Sequence, residues 1–169
     1  NISHYPIHIK LDTGMHRLGF EPHLIDELCS LLKNNNFVKV KSVFSHLAAS
    51  DDLQFDDFTK LQFQRFDAMY SELEKVLPSK PIRHILNTSG IFNYAEKQME
   101  MVRLGIGLYG IGNSEQELKV LENVSTLKTI ISQIREVSPE ESIGYSRRFR
   151  VTQKMKVATI PIGYADGIR

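Results

Sequence analysis

The chain has 169 residues, 41% of them hydrophobic and 24% charged, and 21 Lys+Arg against 20 Asp+Glu leave a formal net charge of +1. A chain this apolar buries enough surface to offset its ordering entropy, which excludes a disordered tail, and so even a charge balance leaves no field to draw in nucleic acid or an anionic membrane surface. One cysteine, Cys29, leaves no internal disulfide, and no apolar run approaches the roughly 20 residues of a membrane span, so a soluble chain in a reducing cytoplasm is expected.

Ile7 to Leu11 is short and apolar and predicts a strand. Pro22 suits a first helical turn, and Leu24, Ile25, Leu28, Leu31 and Leu32 follow at helical spacing. Phe37 to Leu47, with Val38, Val40 and Val43, predicts the next strand. Phe58, Leu61, Phe66, Met69, Leu73, Val76 and Leu77 mark a long amphipathic helix that Pro78 and Pro81 end. Ile82 to Leu86 predicts a strand, Ile91 to Glu96 a short helix, and Met101 to Leu104 a last strand.

Four successive βα units make a parallel sheet or a (βα)8 barrel, and right-handed crossovers bring all strand C-terminal ends to one side. Those ends carry Asp12-Thr13-Gly14, Ser45-His46, Asn87-Thr88-Ser89 and Arg103-Leu104-Gly105. Polar clusters at matching strand ends are the layout of a barrel active site. Beyond Ser114 the pattern changes. Leu127 to Val137 alternates apolar and polar residues, and 148–152 and 154–162 continue in that style, which predicts antiparallel strands. The expected domains are 1–118, the second half of a barrel, and 119–169, the start of a β-domain. The sequence opens on Asn1 with a strand close behind and stops just after another, so an excised piece of a longer protein is expected.

Several motifs have bland readings. Gly105-Ile-Gly107-Leu-Tyr-Gly110 matches GxGxxG, but it follows three other βα units, where a dinucleotide fingerprint would open the first. Its amides would instead cradle a monophosphate, or its glycines only allow tight packing. His46 is by default a satisfied structural histidine. His8 and His84 have no partner at metal-ligand spacing, so no metal site is expected. Arg147, Arg148 and Arg150 read as a solvated strand edge.

His8-Ile-Lys-Leu-Asp-Thr-Gly-Met-His-Arg-Leu-Gly-Phe20 resembles the HxKxDTGMxRxG segment of pyridoxal-phosphate-dependent alanine racemases. Ser45–Asp52, His84–Ser89, Val102–Gly110 and Thr159–Gly167 agree with that family in the same order. The resemblance implies a barrel followed by a β-domain and a pyridoxal 5'-phosphate cofactor. It further implies interconversion of L- and D-alanine for peptidoglycan, in a cytoplasmic homodimer that shares its active sites. Arg103 resembles the arginine facing the cofactor's pyridine nitrogen, and His46 the histidine that supports it. A guanidinium cannot hand its proton to the ring, so the electron sink is damped and the carbanion is reprotonated at once.

Asn87, Thr88, Gly105 and Ile106 match positions that hold cofactor and phosphate. Arg17 matches a contact to the substrate carboxylate, and Lys10 a lysine that relatives carry as N6-carboxylysine, an anion able to orient Arg17. Tyr145, in Ser142-Ile-Gly-Tyr-Ser146, matches the catalytic tyrosine, although relatives more often read Tyr-Gly there. Tyr164 resembles a substrate-side tyrosine. Racemisation needs a base on each face of Cα. The second would be the cofactor-bearing lysine, whose glycine- and tyrosine-rich motif is not in this sequence, so the 169 residues alone are expected to be inactive. A decarboxylase of the same fold places glutamate at Arg103. A serine racemase and a non-catalytic cofactor-binding homologue are the remaining alternatives.

Overall fold

The computed structural model describes residues 3–168. The chain divides into two units, Asn1–Ser125 and Thr126–Arg169. In the first, β1 (Tyr5–Lys10), β2 (Val38–Phe44) and β3 (Ile82–His84) form a parallel sheet in the order β1-β2-β3. Parallel neighbours need a crossover, which α1 (Ile25–Leu32) and α2 (Asp56–Val76) provide. Two shorter helices follow, α3 (Thr88–Asn93) and α4 (Glu115–Val120).

Local chemistry sets these bounds. A 3-10 turn at Pro22–Leu24 leads into α1, where Pro22 lacks only an N–H that would have no intrahelical partner. The Asp52 carboxylate accepts from Gln54 N–H at the entry to α2, Asp56 and Asp57 occupy its first turn and Lys75 its last, all favourable to the helix dipole. Along α2 the buried residues Thr59, Gln62, Phe63, Phe66, Met69, Tyr70 and Leu73 recur every three or four positions. They pack with Leu28 of α1 on Ile9, Leu11, Val43 and Ile85, and each large side chain so buried contributes about 1.5–3 kcal/mol.

The register of β1 on β2 slips once. Ile7 pairs with Val40 but His8 pairs with Ser42, which makes Lys41 an extra, exposed residue. This bulge changes which residues of β2 face the helices: Val40 before it, Val43 after it, both buried in the core. The opposite face carries two register rows, His8 beside Ser42, and Lys10 beside Phe44 beside His84.

Three expectations need correction. Residues 101–104 do not form a strand. They run beside β3 with two bonds, Met101 N–H to Arg83 O at 3.3 Å and Arg103 N–H to Leu86 O at 3.0 Å, because the segment turns into a 3-10 helix at Gly105. The short helix begins at Thr88 rather than Ile91, since the Asn87 side chain accepts from Gly90 N–H and caps it there. The strand expected over 127–137 covers only β4 (Gln133–Val137). Its partner β7 (Met155–Thr159) begins pairing opposite Gln133, so the earlier alternation finds no ladder, and Leu127 and Ile130 stand 71% and 72% exposed.

In the second unit β4 and β7 are antiparallel, as are β5 (Ser142–Ile143) and β6 (Phe149–Arg150). Val151 is its one buried apolar residue among those described. No helix among the described residues is long and apolar enough to cross a membrane.

Candidate active site

Arg103 is the centre of the polar strand ends in the first unit. Its Nη1 donates to His84 Nδ1, and its Nη2 donates to Ser45 O at 2.6 Å, with His46 Nδ1 at 3.4 Å and Ile85 O at 3.3 Å. A guanidinium ringed by carbonyls and neutral imidazoles has a fixed aim. The Phe44 ring lies 5.4 Å from the Arg103 carbon and stacks on His84 at 4.9 Å and 6°, a shelf under both. Burial pulls the Arg103 guanidinium below its ordinary value, yet arginine stays a cation throughout the biological range. Its Nε makes no hydrogen bond to any described residue.

Both histidines are held neutral. Burial, then the Arg103 charge, then His8 push His84 down to about 4. Burial also lowers His46, followed by the cations Arg103, Arg17 and Lys10. Lys10, Arg17 and Arg103, from two separate sequence motifs, thus all stand close enough for their charge to reach His46. His84 bonds the guanidinium more closely than His46 does. Its spacing to other histidines carries no signal for this role, although His84 opens the His84–Ser89 motif.

The loop that carries Arg17 is anchored from below. Asp12 Oδ1 accepts from Gly14 N–H at 2.9 Å and His16 N–H at 3.1 Å, and these bonds lower the Asp12 carboxyl against the opposing effect of its burial. Phe20 N–H donates to Lys10 O and Asp12 N–H to Phe20 O, closing the loop on β1. Gly19 sits at the closure with φ +123°, and a Cβ there would lie 2.8 Å from Asp12 N and 2.9 Å from Lys10 O, so only glycine fits. Arg17 itself is exposed on this loop.

A directional chain ties that loop to His46. Buried Gln62 of α2 donates to Thr13 Oγ1 at 3.1 Å and to His46 O at 3.0 Å, while its oxygen accepts from Ala48 N–H at 2.9 Å. Ser45 Oγ donates to Leu11 O at 2.7 Å, so Thr13, 2.8 Å away, is the donor to Ser45. No motif marks Gln62; a polar residue four positions before Phe66, on the stripe that Met69 and Leu73 continue, is its one trace in the sequence, and in the structure it is fully buried.

Thr88 and Asn87 have structural partners of their own. Thr88 Oγ1 donates to Leu104 O and accepts from Gly107 N–H at 3.0 Å, fixing the 3-10 turn Gly105–Tyr109. Asn87 Oδ1 accepts from Ser50 Oγ at 2.7 Å as well as capping α3. The backbone N–H groups of Gly105 and Ile106 have no acceptor among the described residues. In the second unit Tyr145 and Tyr164 are 94% and 85% exposed, Tyr145 heading a turn in which Ser146 and Arg147 take positive φ.

The profile described as alanine racemase, N-terminal domain, matches residues 2–113, and the one described as alanine racemase, C-terminal domain, matches 124–169. The chain belongs to the alanine racemase family. It is 40% identical over 166 residues to the alanine racemase of Clostridium tetani, covering 95% of this chain and 42% of that protein. With the alanine racemase of Methanococcus maripaludis it shares 34% identity over 168 residues, 97% of this chain and 45% of that one. Among solved structures, the alanine racemase of D-cycloserine-producing Streptomyces lavendulae superposes with a TM-score of 0.82 at 26% identity, over 97% of this chain and 44% of that one. The biosynthetic alanine racemase of Pseudomonas aeruginosa gives 0.79 at 28% identity, over 96% and 45%. The chain thus spans less than half the length of the alanine racemases it matches.

Proposed function

We propose that this chain supplies the arginine-bearing half of a pyridoxal 5'-phosphate site in an enzyme that interconverts L- and D-alanine, and that its first unit is the second half of a (βα)8 barrel. The supporting observation is the identity and setting of Arg103, a permanently charged donor fixed by His84 and Ser45 with Nε left over. A decarboxylase reading calls for a carboxylate at that position.

The donor set suits the cofactor. Arg103 Nε, without an acceptor among the described residues, would meet a ring nitrogen, while the amides of Gly105 and Ile106, likewise without one, would meet a phosphate, with Asn87 and Thr88 holding the strand ends that present them. When bound, pyridoxal phosphate supplies the sink for the electron pair left at Cα. The chain's own groups do the rest. Arg103 would give that ring a hydrogen bond but not its proton, which would limit the sink and favour prompt return of the Cα proton. Arg17, oriented by Lys10 in its anionic N6-carboxylysine form, binds the alanine carboxylate, and neutral His46 adds no further charge between Arg17 and Arg103.

Tyr145 removes or returns the Cα proton on one face, serving the site of a partner subunit in a homodimer, with Tyr164 on the substrate side. The opposite base is a lysine outside these 169 residues, so this chain alone forms no D-alanine. The product would feed peptidoglycan synthesis in the cytoplasm.

The test is the complete reading frame, assayed for L-to-D conversion of alanine and of serine beside Tyr145→Phe. Conversion of alanine that needs pyridoxal phosphate and falls by at least about 100-fold in Tyr145→Phe supports the reading. Release of carbon dioxide, or turnover of serine alone, overturns it.

A further inference from the structure

Four side chains form one hydrogen-bonded line across the sheet: Arg103, His84, Ser42 and His8. Their hydrogens can be assigned outward from the guanidinium. Guanidinium donates and never accepts, so His84 Nδ1 is the acceptor. Neutral His84 then carries its proton on Nε2, 3.0 Å from Ser42 Oγ, and donates to it. The Ser42 hydroxyl keeps one hydrogen to give, and His8 Nδ1 lies 2.7 Å away. Every donor in the line points away from Arg103.

The sheet builds this line. His8 and Ser42 are register partners just past the β2 bulge, and His84 lies diagonally across, two residues beyond Ile82, the partner of Ser42 on β3. Ser42 is buried, so an unpaired His84 N–H against it would meet no water. Without the Ser42 oxygen, the Nε2–H of His84 is buried with no acceptor, and the tautomer that leaves Nδ1 open to the guanidinium loses one of its two supports. In the other tautomer Nδ1–H faces the guanidinium donor to donor, and the arginine loses its closest side-chain support.

We infer that Ser42 and His8 are positioning residues for Arg103, acting through His84 by locking its tautomer and so the aim of the guanidinium. The inference uses the racemase reading only for its kinetic arm.

The experiment takes the complete cofactor-loaded protein and records histidine ring 15N spectra beside steady-state kinetics. His84 in the wild type is expected neutral with its proton on Nε2 at pH 7. Ser42→Ala should mix or reverse that tautomer and lower kcat/KM about tenfold, the equivalent of one hydrogen bond to a charged network. Ser42→Thr, which keeps the hydroxyl, should restore both. His8→Phe, at the exposed end of the line where no cavity forms, should shift the His84 spectrum in the same direction, and His8→Asn, which keeps an acceptor, should not. A wild-type His84 protonated on Nδ1, or a Ser42→Ala protein with unchanged spectrum and kcat/KM within about twofold of wild type, overturns the inference. Should Ser42→Ala fail to fold, the wild-type tautomer and the His8 pair still decide it. A wild type that racemises nothing sinks the proposed activity and leaves the tautomer result standing.

Discussion

Ser45 and Arg103 share one carbonyl: Ser45 O accepts from Nη2 at 2.6 Å, while the Ser45 hydroxyl donates to Leu11 O at 2.7 Å. The guanidinium is therefore fastened to the end of β2, and the end of β2 is fastened to the end of β1. Replacing Arg103 with lysine removes the fork and keeps the charge. The expected loss in kcat is about 100-fold, because one ammonium cannot satisfy Ser45 O, His84 and an outward acceptor together. Arg103→Glu should go further and release pyruvate from alanine, since a carboxylic acid can protonate a pyridine that arginine cannot. Racemase kinetics beside a pyruvate assay would check both.

Gln62 makes a sharper stability test. Gln62→Leu leaves Thr13 Oγ1, His46 O and Ala48 N–H short of partners in a buried setting, at about 1–3 kcal/mol for each unsatisfied group. A net destabilisation of about 3 kcal/mol is expected in denaturant unfolding of the complete protein. Gln62→Glu should not rescue it, because a carboxylate accepts from Ala48 but has nothing to donate to the His46 carbonyl.

Gly19→Ala places a methyl group 2.8 Å from Asp12 N at a φ of +123°. The expected cost is about 1–3 kcal/mol, taken as strain in the loop that holds Arg17. Under the proposed role of Arg17, alanine KM should rise more than kcat falls, since this loop would present the carboxylate contact and not the proton-transfer groups.

His84 makes stability depend on pH. Its folded value is about 4 against an ordinary 6.5, so between those values the unfolded chain binds more protons than the folded one. Stability is complete above about pH 6.5 and falls as the pH drops through that window toward 4. His84→Gln should flatten the slope of melting temperature against pH between these limits. An unchanged slope would show that other groups set the acid limit.

Much of this was legible in the sequence, and for a physical reason. The long period of α2, the Pro22 start and the Pro78 stop are local signals, so α1 and α2 lie where propensity and spacing put them, whereas α3 begins three residues earlier at its Asn87 cap. The polar strand ends were legible too, because parallel crossovers leave little choice about which ends gather. Residues 101–104 failed since an apolar run says nothing about whether a neighbour offers a continuous ladder. His84, Ser42 and Gln62 were missed as a set. Each is ordinary in its own segment and gains meaning only from a partner 14 to 49 positions away, through a register that pattern reading cannot supply.

The extra residue in β2 carries a lesson about length. Before Lys41 the even-numbered Val40 turns to the helices; after it the odd-numbered Val43 does, and Ser42 and Phe44 take the other side. Parity is thus spliced at one exposed position. Losing Lys41 would leave a regular strand with every polar group still on its own side. A deletion at Val43 or Phe44 instead would turn each later side chain to the opposite face, so this stretch depends on its count as much as on its letters.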